Sequence, residues 1–172
     1  WGSLHLFSVT KLEPKVGLEG DVDLIRSYLN KITDKNYTDM KTNIITMLDK
    51  LIANGIEEAD LMRVSISLFE FASTNRFFSK LYADLYTELV AKYEIMNQVF
   101  ETSFKTFLEL FANIEYTDPD DDYDEFCKNN KTNEKRKALS AFFVNLCSNN
   151  LLAFDRLVDL TYDMVSKVME LI

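Results

Sequence analysis

The sequence predicts an all-α fold: an α-solenoid of antiparallel helix pairs, about seven helices in all, with an extended N-terminal arm. Three observations predict it. The 172 residues are 47% hydrophobic with only 4 Gly and 2 Pro, so turns are few and long helices are the economical reading. The apolar residues recur at helical spacing in one segment after another. Finally, Val64 to Leu89 reads as two amphipathic helices around one short turn, with more apolar surface than two helices bury on each other. In the first of these helices Leu61, Met62, Val64, Ile66, Leu68, Phe69, Phe71 and Ala72 fill a broad arc, and Arg63, Ser67 and Glu70 share the remainder. In the second, Phe78, Leu81, Tyr82, Leu85, Tyr86, Leu89 and Val90 face away from Lys80, Asp84, Thr87 and Glu88.

The elements follow in order. Trp1-Gly2-Ser3 has the look of a cloning remnant and carries no functional weight. Leu4 to Gly20, with Pro14, Gly17 and Gly20 and no helical period, is expected to run as an extended arm, so the helical domain spans residues 21–172. Asp21 is the expected cap of a first helix with Val22, Leu24, Ile25, Tyr28, Leu29 and Ile32 inward. After the break Thr33-Asp34-Lys35-Asn36, a second helix runs from about Tyr37 to Ala53 with Met40, Ile44, Ile45, Met47, Leu48, Leu51 and Ile52 inward. Asn54-Gly55 closes it. The polar residues Ser73-Thr74-Asn75-Arg76 separate the third helix from the fourth. A fifth helix is expected over Glu94 to Asn113, with Met96, Val99, Phe100, Phe104, Phe107, Leu108 and Phe111 on one arc. Tyr116 to Thr132 is acidic enough to read as a long polar loop. A sixth helix from about Asn133 presents Leu139, Phe142, Phe143, Leu146 and Cys147, and a seventh runs from Leu151 to the end. The unit recurs at roughly 35 to 40 residues, within the range of HEAT-like arrays. The last helix is apolar over more than half its circumference, and a solenoid end needs a polar outer face, so a continuation of the array past Ile172 is expected.

Composition narrows the function. A net charge of −9 opposes a sequence-independent grip on phosphates, which works by Lys and Arg displacing counterions. No apolar run approaches the roughly 20 residues that span a bilayer, so no membrane partner is expected. Cys127 and Cys147 form neither a C-x-x-C pair nor part of a zinc site, which fits a reducing compartment, the cytoplasm or the nucleus. The single histidine, His5, leaves no basis for a histidine triad or a multi-histidine metal site, and the four isolated glycines form no phosphate loop. The acidic run from Asp118 to Asp124 lacks the turn glycine of a calcium loop and has Asn129 where a bidentate Glu is required. No enzyme, no cofactor and no metal are therefore expected. Lys128, Lys131, Lys135, Arg136 and Lys137 form a weakly basic group, a candidate contact for RNA that also balances its acidic neighbours. Most of the Tyr and Phe residues are expected in the core.

Four segments together resemble the middle, HEAT-repeat domain of the translation initiation factor 4G family. The first is Leu29-Asn30-Lys31-Ile32-Thr33 followed by Tyr37; the second is Leu68-Phe69-Glu70-x-Ala72 with Phe77-x-Ser79-x-Leu81-Tyr82-Ala83-x-Leu85. The third is Phe104-Lys105-x-Phe107-Leu108 before an Asp-rich loop, and the fourth is Lys135-Arg136-x-x-Leu139-Ser140-x-Phe142 before Asn149-Asn150-Leu151-Leu152. The resemblance spans about Leu12 to Ile172, where the family usually has five helix pairs. It implies a scaffold that binds and activates the DEAD-box helicase initiation factor 4A. The helicase contacts it implies are Leu29, Asn30, Lys31, Ile32, Asn36 and Tyr37 in the first repeat, and Leu12 and Pro14 in the arm, where the family's Trp-x-Pro stands as Leu12-Glu13-Pro14. Related domains act in RNA processing and nonsense-mediated decay; the arm and the Asp-rich loop favour initiation. Tyr28, Tyr82 and Tyr86 all lack Leu five residues later, so no motif for the cap-binding protein is present.

Overall fold

The computed structural model describes residues 17–112 and 114–170. It is all-helical, with no strand among the described residues. The helices are α1 (Leu18–Lys31), α2 (Tyr37–Ala53), α3 (Glu58–Thr74), α4 (Ser79–Lys92), α5 (Glu94–Thr106), α6 (Tyr123–Ser148) and α7 (Phe154–Glu170), with a 3-10 segment at Phe107–Phe111. Most of the expected arm and its two candidate residues, Leu12 and Pro14, lie outside the described residues.

Helix ends are set by short-range polar chemistry, and several differ from expectation. α1 starts at Leu18, so Leu18, Glu19 and Gly20 are helical. Gly17 takes φ 75°, a backbone that favours glycine, and its carbonyl accepts from the Asp21 amide at 3.1 Å. Asp21 therefore sits in the first turn with Glu19, where the helix dipole favours acids. Gly55, at φ 74°, closes α2 as expected: its amide donates to Ile52 O, and Ile56 N donates to Leu51 O at 3.1 Å. Asn150 does the same for α6 at φ 60°, with Leu151 N on Leu146 O. This closure consumes Leu151, so α7 begins only at Phe154. Ser73 and Thr74 belong to α3, because the Thr74 hydroxyl donates back to Glu70 O at 2.7 Å.

The largest difference is α6, which begins at Tyr123, well upstream of Asn133. Asp122 caps it through its side chain, which accepts from Glu125 N at 2.9 Å. Asp124 and Glu125 then occupy the first turn, so acids that read as loop on composition nucleate a helix instead. At the other junction α5 stops at Thr106, and Phe107 to Phe111 tightens to 3-10 geometry.

α3 is central. It packs against α1, α4, α5 and α6, as its broad apolar arc requires. Phe69 from α3, Tyr86 from α4 and Phe142 from α6 meet edge to face, with ring centroids 5.4 to 5.9 Å apart. A second cluster puts Phe143 against Phe104 and Phe107 at 5.2 and 5.0 Å. Edge-to-face pairs of this kind are worth about 0.5–1.5 kcal/mol each beyond area burial. The buried hydroxyls are satisfied: Tyr82 donates to Leu29 O and Tyr86 to Met96 O, each at 2.8 Å. Burial pushes both phenol groups up, because an ionised tyrosine has no water there. Not every apolar residue is inward. Leu24, Ile52 and Ile66, read as core faces, are 39%, 43% and 42% exposed.

Candidate interface at the α1–α2 corner

The α1–α2 corner holds six of the candidate residues. α1 ends at Lys31 and Ile32 turns extended, with its amide still donating to Leu29 O at 3.2 Å. Asn36 then locks the turn from within. Its Oδ1 accepts from the amide and hydroxyl of Thr33 at 2.7 and 3.0 Å, and its Nδ2 donates to Lys31 O at 2.8 Å. A short polar side chain that answers both donors and acceptors of a turn is the Asx chemistry expected of asparagine. From beneath, the Tyr82 hydroxyl holds the Leu29 carbonyl, so the corner is tied to α4 as well as to itself.

Tyr37 opens α2 and reaches across to α4. Its hydroxyl donates to Glu88 Oε1 at 3.1 Å, while Lys41 Nζ lies 2.7 Å from Glu88 Oε2 and 5.4 Å from the Tyr37 ring centroid. Burial, then the Glu88 charge and hydrogen bond, push the Tyr37 phenol up. α4 is also bonded to the C-terminal end of α6: Asn149 Nδ2 donates to Asp84 Oδ1 at 2.9 Å, and Asn145 Nδ2 to Ser79 Oγ at 3.0 Å.

The six residues divide by burial. Leu29 and Ile32 are 1% and 3% exposed, so they hold the corner in place and present no surface to a partner. Core placement is the alternative to their reading as contacts: apolar residues at a helix end face the nearest core. Asn30 and Lys31 are exposed, and Asn36 and Tyr37 half-buried, so these four are the available surface. Glu88, which organises Tyr37 and Lys41, was read only as an outward residue of α4. A contact across 51 residues leaves no local signal in the chain.

The basic group on α6 is largely engaged with its own helix. Lys128 pairs with Glu125 at 2.8 Å and Lys137 with Glu134 at 2.7 Å. Arg136 donates to Leu110 O and to Asn133 Oδ1, and its guanidinium lies 5.8 Å from the Phe111 ring centroid. It fastens the 3-10 segment. Lys131 and Lys135 have no carboxylate at ion-pair distance among the described residues.

Acids of the run after Tyr116 serve the backbone. Asp118 Oδ1 accepts from Asp120 N at 2.9 Å, and Asp122 is the α6 cap. Among the described residues no group of three or more His, Cys, Asp and Glu side chains is gathered as a metal site, and no helix is long and apolar enough to cross a membrane. Comparison with protein-family models, with curated proteins and with solved structures returns no match.

Proposed function

We propose that this chain is a translation initiation scaffold that binds and activates a DEAD-box helicase of the initiation factor 4A type, working in the cytoplasm without chemistry of its own. The frame of that reading is a solenoid of helix pairs, α1 with α2 and α3 with α4, stacked through α1 on α3, α3 on α5 and α4 on α6. The observation that carries it is the α1–α2 corner. Asn30 and Lys31 stand exposed on a turn immobilised by Asn36, beside a Tyr37 held in one orientation by Glu88. A preorganised corner of this kind loses little side-chain and loop freedom on binding.

In this reading one helicase lobe meets the corner and the other meets the arm at Leu12 and Pro14. Each contact alone is modest, of micromolar affinity or about 8 kcal/mol. Joined on one frame, the first contact raises the local concentration of the second lobe. The closed, ATP-competent arrangement of the helicase is then favoured because the scaffold binds it better than the open one.

The test is helicase ATPase with RNA present, adding the wild-type chain, a Lys31→Glu/Tyr37→Ala variant, or Leu12→Ala. Wild type stimulates, and each variant stimulates at least about tenfold less strongly per mole while keeping its helical circular dichroism. Absence of binding and stimulation by wild type ends the helicase reading. Undiminished stimulation by the folded corner variant ends the assignment of the corner.

A further inference from the structure

A cleft of about 690 Å³ lies between the α3–α4 turn and the middle of α6 and shares no lining residue with the α1–α2 corner. Arg76 and Phe77 form one wall, and Asn130, Lys131, Glu134 and Lys135 contribute to the other. Phe77 is 96% exposed, although the backbone around it is held. Phe78 N donates to Asn75 Oδ1 at 3.3 Å, and Ser79, at the start of α4, accepts from Asn145 of α6. A phenylalanine left in water contributes nothing to this fold by burial, yet it is the type of side chain that dominates contact energies once covered.

Charge supplies the second half of the argument. On a chain of net charge −9, Lys131 and Lys135 face the cleft one helical turn apart and unpaired, while their neighbours Lys128 and Lys137 each hold an acid. Glu134 is bonded to Lys137 at 2.7 Å and its charge also reaches Arg76, so it offsets part of the positive charge here without pairing with Lys131 or Lys135. Arg76 adds a cation from the opposite wall. The lining between these charges is mostly apolar.

We propose that this cleft docks a short peptide segment in which a leucine or aromatic side chain is flanked by carboxylates. The apolar side chain packs on Phe77, and the carboxylates pair with Lys131, Lys135 and Arg76. A peptide fits better than a polynucleotide, since three cations with Glu134 among them make no continuous phosphate track on a chain of net charge −9. The proposal stands independently of the helicase reading.

The experiment titrates the isotope-labelled full chain with a blocked Glu-Glu-Leu-Phe-Glu-Glu peptide and follows backbone amides by NMR. In parallel it uses Lys-Lys-Leu-Phe-Lys-Lys, Glu-Glu-Ser-Ser-Glu-Glu and an oligouridylate. The acidic apolar peptide shifts the amides around Phe77 and from Asn130 to Lys135. Phe77→Ala and Lys131→Glu/Lys135→Glu, all at exposed positions that leave helicity unchanged, each weaken it about tenfold or more. Equal binding of the basic peptide or of the peptide lacking the apolar pair overturns the proposal, as does no peptide binding at all. Oligouridylate binding at the cleft in place of peptide also overturns it and makes the surface a nucleic-acid site.

Discussion

The two halves of α6 are held in different ways. The helix is 26 residues long, about 39 Å at 1.5 Å per residue, but its buried residues begin only at Ala138. From Ala138 to Ser148 it is fixed by Phe142 and Phe143 among aromatic rings of α3, α4, α5 and the 3-10 segment. From Tyr123 to Lys137 no residue is buried, and the helix stands on the Asp122 cap, on i,i+3 ion pairs and on Arg136. One half is helical because of its neighbours, the other because of its own backbone chemistry. α7 is attached in both ways, with Leu160 buried where it packs on the 3-10 segment and α6, and with a two-pronged Arg156–Glu101 pair to α5 at 2.8 and 2.9 Å.

The comparison breaks most visibly at Phe142. Phe142→Ala removes a ring that is 0% exposed from between Phe69 and Tyr86, and is expected to cost about 3–5 kcal/mol in urea unfolding. Phe126→Ala in the other half, half-buried and beside Tyr123, is expected to cost less than about 1 kcal/mol. Equal losses would mean that the overhanging half is packed in solution.

Asp122→Ala should cost about 1 kcal/mol by removing the cap. Its effect stays local: amides from Tyr123 to Phe126 exchange faster, while those after Ala138 do not. Uniform loss of protection along α6 would show that the two halves unfold as one.

Acid distinguishes the polar attachments from the centre. Arg156 first, through its hydrogen bonds, holds the Glu101 carboxyl below its usual range. A depressed folded pKa contributes stability that is present above the ordinary value near pH 4.3 and is lost as pH falls through the lowered one. With side chains 39% and 35% exposed, the pair is worth about 1 kcal/mol or less after screening. Below pH 4.3 the amides of α7 should therefore lose protection before those of α3, and Glu101→Gln should abolish the pH dependence of that difference. At the alkaline end the sign reverses. Buried Tyr82 and Tyr86 have raised pKa values, so their contribution is complete below about pH 10 and declines progressively as pH rises from there through the raised values. Smallest of all, Lys128→Ala removes an exposed pair and should change stability by no more than about 0.5 kcal/mol.

What the sequence determined by itself is what periodicity and capping encode. The helix class, the central place of α3 and α4, the Gly55 closure and the inward faces around Ile25, Leu48 and Phe142 all follow from apolar residues at helical spacing or from a residue suited to φ above zero. Periodicity reports burial, so it missed most of the part of α6 that is helical without being buried and placed the helix start near Asn133, shortly before burial begins at Ala138. What only the tertiary structure decided is which residues face one another. Leu29 and Ile32 were drawn inward beneath a corner whose exposed positions run through Asn30, Lys31 and Thr33 to Lys35. Glu88 met Tyr37 across 51 residues, and Phe77 was left in water opposite Lys131 and Lys135. A helix fixes the direction of each side chain only relative to its own axis, and the packing of one axis on another selects the contacts.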